Sequence, residues 1–402
     1  MNQLEERLRT AFQEKASRIP PEAPPLRLDP LRRAADGSKA SVTRRWLAPV
    51  AAAAAVAAVA AAVTMAGAAG HPMQSADSVV RPVPVSFATI PSYYVALVRL
   101  PLSGNATEVD MTAQVRATGT GAVIATLPPP RPYVSYEGVS AAADDRTFVL
   151  EARGRLHRDG AAPTERFYLL RINPAASLAS QRAKLTPLQA ALIPPSVVVS
   201  DPVLSPNGTL LAFSTDVIWP AADSADAVVI DNLSTGTRRQ WSAPTFTQPT
   251  SWTANGRYLA LNVFGPPQVR LVSPDAPGDR LIPASRAVTV DGPPLRAPGH
   301  KPVPFDKSSW DTASITPDGR SIVIAARAYA GYVVRFTRAT GEEVGTLTKL
   351  TASGGNWQQV LWMNETGTTL VISENSGSGA GILKNGHYSP IPWAEGTVTA
   401  AF

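Results

Sequence analysis

Five times between residues 142 and 372 the chain repeats one pattern, a tight turn followed by an apolar, β-rich run. Three copies are close. Ser205-Pro206-Asn207-Gly208 precedes Leu210-Leu211-Ala212-Phe213, Thr253-Ala254-Asn255-Gly256 precedes Tyr258-Leu259-Ala260-Leu261, and Thr316-Pro317-Asp318-Gly319 precedes Ser321-Ile322-Val323-Ile324. Two are looser: Ala142-Ala143-Asp144-Asp145-Arg146 before Thr147-Phe148-Val149-Leu150, and Asn364-Glu365-Thr366-Gly367 before Thr369-Leu370-Val371-Ile372. Asn-Gly and Asp-Gly supply the φ > 0 residues of a two-residue hairpin, and the apolar run after each reads as a buried strand. The fourth turn position falls on Asp145, Gly208, Gly256, Gly319 and Gly367, at intervals of 63, 48, 63 and 48 residues. Recurrence on this scale marks a solenoid, a propeller or an array.

A second strand and a second turn follow most copies. Ala227-Val228-Val229-Ile230-Asp231 leads to Ser234-Thr235-Gly236-Thr237, and Gly331-Tyr332-Val333-Val334-Arg335-Phe336 leads to Ala339-Thr340-Gly341-Glu342. Turn, strand, loop, strand, turn and strand in this order, behind the strand that enters the first hairpin turn, describe a four-stranded antiparallel blade. The unit beginning at Ser205, with the 227–231 strand behind it, resembles the repeat of TolB-type and WD40-like bacterial propellers. That resemblance covers roughly residues 85–402 and implies an all-β propeller. Asp145 and Thr366 depart from its Asn/Asp-Gly pair. With an irregular first blade from Ser92–Leu97 and Ala122–Ala125 the count reaches six; it becomes seven if residues 175–200 or 280–305 hold further strands.

The N-terminal quarter reads differently. Asn2 caps an amphipathic helix over 2–19, with Leu4, Leu8 and Phe12 forming one apolar stripe. Pro20 and Pro21 stop it, and a Pro/Arg-rich linker follows. Residues 46–70 then carry no charge; as a helix they would rise about 37 Å, enough to cross a hydrocarbon core of roughly 30 Å. Arg44 and Arg45 place the N-terminus inside by the positive-inside rule, and Trp46 sits at headgroup level. The organisation expected is therefore a cytoplasmic tail (1–45), one transmembrane helix (46–70) in membrane lipid, an extended spacer (71–90) and an extracytoplasmic propeller (91–402). Thr43-Arg44-Arg45-Trp46-Leu47 also resembles a twin-arginine export motif, with Ala66-Gly67-Ala68 as a cleavage site. Either route puts the propeller outside.

Charge and composition narrow the function. Residues 1–45 hold ten Lys/Arg and six Asp/Glu, most of the chain's net +6, and the remainder is close to neutral. A nucleic-acid binder concentrates basic charge on one face; here it sits beside the expected membrane span, so no nucleic-acid partner is expected. No cysteine is present, which removes thiol nucleophiles and Cys-ligated zinc.

Histidines 71, 157, 300 and 387 stand alone, and no G-x-S-x-G elbow occurs. Asp144-Asp145 and Glu342-Glu343 are adjacent carboxylates that point to opposite faces of a strand. The sequons at Asn105, Asn207, Asn232 and Asn364 fall at turns that favour Asn anyway. Trp252 and Trp362 recur ahead of turns and read as packing between blades, whereas Trp219, Trp241 and Trp357 are candidates for an exposed binding face. No catalytic residue, metal ligand or cofactor is expected.

The reading is a non-enzymatic binding or sensing module for an extracytoplasmic protein or ligand, with the tail helix available to a cytosolic regulator. The layout resembles membrane-tethered partners of extracytoplasmic-function sigma factors in actinobacteria, without the Cys/His zinc motif common in them. One alternative is a lactonase- or lyase-like enzyme, which requires Asp201, Asp216, Asp226 and Asp311 to converge in a central channel. Another is an envelope scaffold of TolB type.

Overall fold

A computed structural model describes residues 80, 82–99, 110–155, 164–177, 181–189, 193, 197–217, 226–244, 246–263, 268–288, 290, 310–326, 332–339, 343–349, 358–374, 379–385, 387–393 and 395–402. The expected tail helix with Leu4, Leu8 and Phe12, the span beginning at Trp46 and its flanking Arg44 and Arg45 lie outside them. Among the described residues no helix is long and apolar enough to cross a membrane.

The chain forms six four-stranded antiparallel blades. Blade two runs β4 (Ser135–Ala141), β5 (Thr147–Arg153), β6 (Glu165–Ile172) and β7 (Ala183–Pro187). Blade three is β8 (Val197–Leu204), β9 (Leu210–Val217), β10 (Ala227–Asn232) and β11 (Arg238–Ser242). Blade four is β12 (Thr247–Trp252), β13 (Leu259–Val263), β14 (Gln268–Val272) and β15 (Ser285–Val288), the last entered through a single helical turn, α1 (Leu281–Ala284). Blade five is β16 (Trp310–Ile315), β17 (Ser321–Ala326), β18 (Tyr332–Thr337) and β19 (Glu343–Lys349). Blade six is β20 (Gln358–Met363), β21 (Thr369–Glu374), β22 (Ala380–Lys384) and β23 (His387–Pro390).

Blade one combines both ends of the domain. β1 (Tyr93–Arg99), β2 (Met111–Ala117) and β3 (Val123–Leu127) are completed by β24 (Thr397–Ala401), which pairs with β1 as the innermost strand. The described strands in 175–200 and 280–305 are the outer strands β7 and β15 and the start of β8, so among the described residues no seventh blade arises there.

Each of the six buried apolar clusters fills one seam between neighbouring blades. Phe148, Leu150 and Ala152 of β5 pack toward Val95, Leu97 and Val115 of blade one. Val149, on the opposite face of the same strand, packs with Leu211 and Phe213 of blade three. A second strand is thus buried on both faces, which is why its sequence runs apolar without alternation. Trp252 and Trp362 are buried in such seams, and Trp252 donates its indole N–H to the Val203 carbonyl at 3.0 Å. Trp241 corrects the expectation of exposure: it is fully buried. It shares one buried apolar cluster with Ile230, Leu259, Ala276 and Leu281.

All five repeat turns hold a left-handed residue at the fourth position: Asp145 (φ 54°), Gly208 (72°), Gly256 (66°), Gly319 (71°) and Gly367 (68°). Neighbouring turns are also stitched by backbone hydrogen bonds. Ala143 donates to Pro206, Ala254 to Pro317, and Asp318 to Glu365, at 2.9, 2.7 and 3.1 Å. Asn207 and Asn232 spend their side-chain oxygens on their own turns, and Asp144 caps Arg146 and Thr147 in the same way.

Candidate functional site: the central channel

The innermost strands β4, β8, β12, β16, β20 and β24 surround a cavity of about 430 Å³, within the size range of small-molecule sites. Each pairs with its blade's next strand through a register shift: at Tyr136/Gly138, Ser200/Val203, Pro249/Ser251, Trp310/Thr312, Val360/Trp362 and, for β24, opposite Leu97/Val98. A bulge adds a residue and re-aims side chains, so all six channel strands are bent where they line the cavity. Serine hydroxyls tie the wall together. Leu204 donates to Ser140 Oγ and Ile315 to Ser251 Oγ, both at 2.8 Å and both between blades.

The wall is polar toward the start of the inner strands and apolar toward the turns. Glu137, Asp201, Gln248, Thr312 and Gln359 line the first part; Trp252, Ile315, Met363 and Phe402 line the second. Among the described residues, the lining holds no His, Lys or Arg. At the apolar end the chain ahead of β1 lies across the turns of blades two and three. Val83 donates its N–H to the Asn207 carbonyl at 2.9 Å, Ser92 donates to Asp145 Oδ2 at 2.7 Å, and Phe87 between them lines the cavity. The described part of the expected spacer is therefore without regular structure and seated on the propeller.

The acidic groups gather at the seam between blades two and three. Glu165 on β6 accepts the Val199 N–H of β8 and the Arg153 Nε–H, each at 2.7 Å. Arg153 also approaches Glu137 Oε2 at 3.6 Å. Asp201, at φ 55° in a β8 bulge, accepts a hydrogen bond from Gln248 at 3.1 Å. Behind this wall stands Glu151, 1% exposed, whose Oε1 has no hydrogen-bond partner. Its Oε2 lies against Gly138, which lines the cavity; a Cβ at residue 138 would come within 2.7 Å of it.

Burial pushes the Glu151 carboxyl well above the usual carboxylate range, and Glu165, Glu137 and Asp201 add to this against the opposing pull of Arg153. Burial also raises Glu165, held back by the Val199 N–H and by Arg153. The positions equivalent to Glu151, six residues past each turn residue, are Ser214, Asn262, Ala325 and Ser373. Ser214 shares a hydrogen bond with Ser200, and Asn262 pairs with the backbone of Ala313 in the next blade. The other repeats thus hold a small or neutral group here.

Of the four aspartates whose convergence a channel enzyme requires, Asp201 reaches the wall and Asp311 lies on the inner strand β16. Asp216 belongs to β9, and Asp226 sits ahead of β10, accepting the Phe246 N–H. Of the two whose side chains are described, Asp201 reaches the wall and Asp226 does not. Asp201, Glu137 and Glu165 all act on Glu151, and sequence reasoning missed the three glutamates. The signal for one of them was a single charge, Glu151, inside the apolar run Phe148-Val149-Leu150-Glu151-Ala152.

No protein-family model and no curated protein sequence matches the chain. The fold does match solved structures. TolB from Acinetobacter baumannii aligns at 14% identity over 79% of this chain and 67% of its own, with a TM-score of 0.48. A TolB candidate from Agrobacterium tumefaciens aligns at 12% identity over 74% of this chain and 88% of its own, with a TM-score of 0.42. A prolyl endopeptidase aligns at 13% identity over 74% of this chain and 42% of its own, with a TM-score of 0.41. At these identities the likeness concerns the fold alone: a six-bladed β-propeller distantly similar to TolB and related propellers.

Proposed function

We propose that this chain is a non-enzymatic binding or sensing module: a membrane-anchored propeller, held outside the cell, that takes its ligand into the central channel and addresses a cytosolic regulator through its N-terminal helix. The observation that carries the binding part is the channel itself, a cavity of about 430 Å³ with a polar section and an apolar section in one ring of bulged strands. Ligand sites combine these two kinds of wall, the apolar one for affinity and a few polar groups for orientation. The lining offers carboxylates, amides and hydroxyls that can orient a ligand by hydrogen bonds. The anchor and its orientation rest on the uncharged 46–70 stretch and on Arg44 and Arg45.

The test has two arms. Reporters active only outside the cytoplasm, fused after residue 402 and after residue 45, are expected to be active and inactive respectively; the reverse overturns the orientation. A thermal-shift screen of the detergent-solubilised full chain against mixed small molecules and peptides is expected to yield channel ligands left chemically unchanged. Ligands recovered as products favour the channel enzyme instead. A screen with no ligand at all overturns the binding module.

A further inference from the structure

We propose that the turn end of blades four to six is a membrane-docking face, whose arginines take the phosphates of anionic lipid headgroups. The inference rests on the anchored reading and adds a second contact with the bilayer to the span.

Charge is the first argument. The turns at 253–258, 316–321 and 364–369 adjoin one another and the end of β18: Ala254 donates to Pro317, Asp318 to Glu365 and Arg338 to Arg320. On this surface Arg257, Arg320, Arg338 and Arg335, the last reaching the Thr366 carbonyl, stand against two carboxylates. Asp318 is held by its own turn, where Oδ1 accepts the Thr316 hydroxyl and the Arg320 N–H at 2.6 and 2.9 Å. Glu365 is exposed. The ion pairs of the described residues involve Arg146, Arg153 and Arg238, and none of these four arginines.

The second argument is how the guanidiniums are held. Arg257 and Arg338 both lie over the Tyr258 ring, with Cζ 5.5 and 5.2 Å from its centroid. One aromatic side chain thus gathers a cation from blade four and another from blade five. Arg338 gives one N–H to the Gly319 carbonyl at 3.0 Å. Among the described residues no hydrogen bond or ion pair draws on the guanidinium of Arg257 or Arg320, both exposed. Stacking on a ring leaves the planar N–H fork open at its edge, and that fork matches a phosphate through two parallel bonds.

Placement is the third. Val83, thirteen residues past the end of the uncharged 46–70 stretch, donates its N–H to Asn207 in the blade three turn at 2.9 Å. Its Cγ2 would stand 3.7 Å from a Cβ on Gly208 in the same turn. The chain thus joins the propeller at its turn end, the end that carries the arginines. Attraction of a basic group to an anionic surface fades within a Debye length, about 8–10 Å, so it acts only on a face turned to the bilayer. The chain leads from the proposed span to that face.

The chain has no cysteine, so one introduced thiol marks one place. The full chain with Ala339→Cys, exposed beside Arg338, is labelled with an environment-sensitive dye and reconstituted in bilayers of phosphatidylcholine, alone or in equal parts with phosphatidylglycerol. Thr126→Cys, exposed near the far end of β3, is the control. The dye at 339 is expected to shift to shorter wavelength in the mixed bilayers alone and to revert in high salt, with no shift at 126. Arg257→Gln and Arg320→Gln, their folding checked by circular dichroism, should each lower the docked-to-free ratio about fivefold. Arg257→Lys and Arg320→Lys, which keep the charge, should retain most of it. A shift in neutral bilayers as well, an equal shift at 126, or full docking with both Gln changes combined overturns the inference and leaves the anchor standing. Inorganic pyrophosphate is the remaining arm. If it binds the detergent-solubilised chain through Arg257 and Arg320 while mixed bilayers leave the dye at 339 unmoved, the arginines serve a soluble anion and the inference fails. A chain washed from the bilayers by alkaline carbonate overturns the anchor and this inference with it.

Discussion

The Glu165 carboxylate crosses from blade two to blade three to accept the Val199 N–H at 2.7 Å, while its other oxygen holds Arg153 at the same distance. One buried side chain thus satisfies a neighbouring blade's backbone and anchors Arg153. Removing one partner of a buried pair strands the other and typically costs about 3–5 kcal/mol. Glu165→Ala is expected to fall in that range by denaturant unfolding. Glu165→Gln keeps the Val199 acceptor and should lose less than half as much. Equal losses in the two variants would locate the effect in the ion pair alone.

Glu151 predicts a pH dependence of opposite sense to that of a salt-bridged acid. Its folded pKa lies above the ordinary value of 4.5, because burial disfavours the charged form. Glu165 and Arg153 face it from β6 and β5, and Glu137 and Asp201 from β4 and β8. The folded state therefore binds more protons than the unfolded one, and stability falls as pH rises above about 4.5, by up to about 1.4 kcal/mol per pH unit until the folded pKa is passed. Glu151→Gln abolishes this term. Its melting temperature should exceed that of the parent chain at pH 8 and converge with it below pH 4.5. A constant difference across that range would show that Glu151 does not titrate between the two states.

The turn glycines separate two costs that one substitution usually mixes. Gly256 and Gly367 share a left-handed backbone, at φ 66° and 68°. A Cβ at Gly256 meets open space, whereas one at Gly367 comes within 2.7 Å of Thr316 Cγ2 and 3.1 Å of Val323 Cγ2. Gly256→Ala should cost the backbone term alone, about 1–2 kcal/mol. Gly367→Ala adds overpacking of a seam, about 1–3 kcal/mol more. Thermal unfolding of the two variants side by side measures the difference.

These turns also show what was legible in the sequence. Left-handed backbone at a fixed offset before a strand buried on both faces leaves a mark in residue type, so the blades could be counted from Gly208, Gly256, Gly319 and Gly367. Asp145 breaks the glycine rule for a reason the sequence does not display: its carboxylate holds the Ser92 N–H, a contact 53 residues distant. The closing strand was invisible because Thr397-Val398-Thr399-Ala400-Ala401 carries no turn signal and pairs with β1. The acidic seam was invisible for a related reason. Glu137, Glu151, Glu165 and Asp201 come from four strands of two blades, and periodicity within a strand says nothing about which residues meet across a seam.

Closure of the ring supplies the last prediction. Phe402 stacks on Tyr94 with centroids 4.8 Å apart and planes 11° from parallel, and Trp393 stacks on the same tyrosine at 5.8 Å. Tyr94 also donates its hydroxyl to the Pro392 carbonyl at 2.9 Å. The stack therefore joins β24 and the segment after β23 to β1, at the one blade assembled from both ends of the domain. Phe402→Ala removes a buried aromatic from this joint and should cost about 3–5 kcal/mol. Deleting residues 397–402 goes further, because it strips β1 of its partner along Val95–Val98 and leaves a bare, apolar strand edge, a template for pairing with other chains. The truncated chain is expected to self-associate on size-exclusion chromatography, and a peptide spanning residues 395–402 should restore the monomer in a concentration-dependent way. A truncated chain that stays monomeric and melts within about 2 °C of the parent would show that β24 is dispensable to the ring, and that the inter-blade seams alone hold it closed.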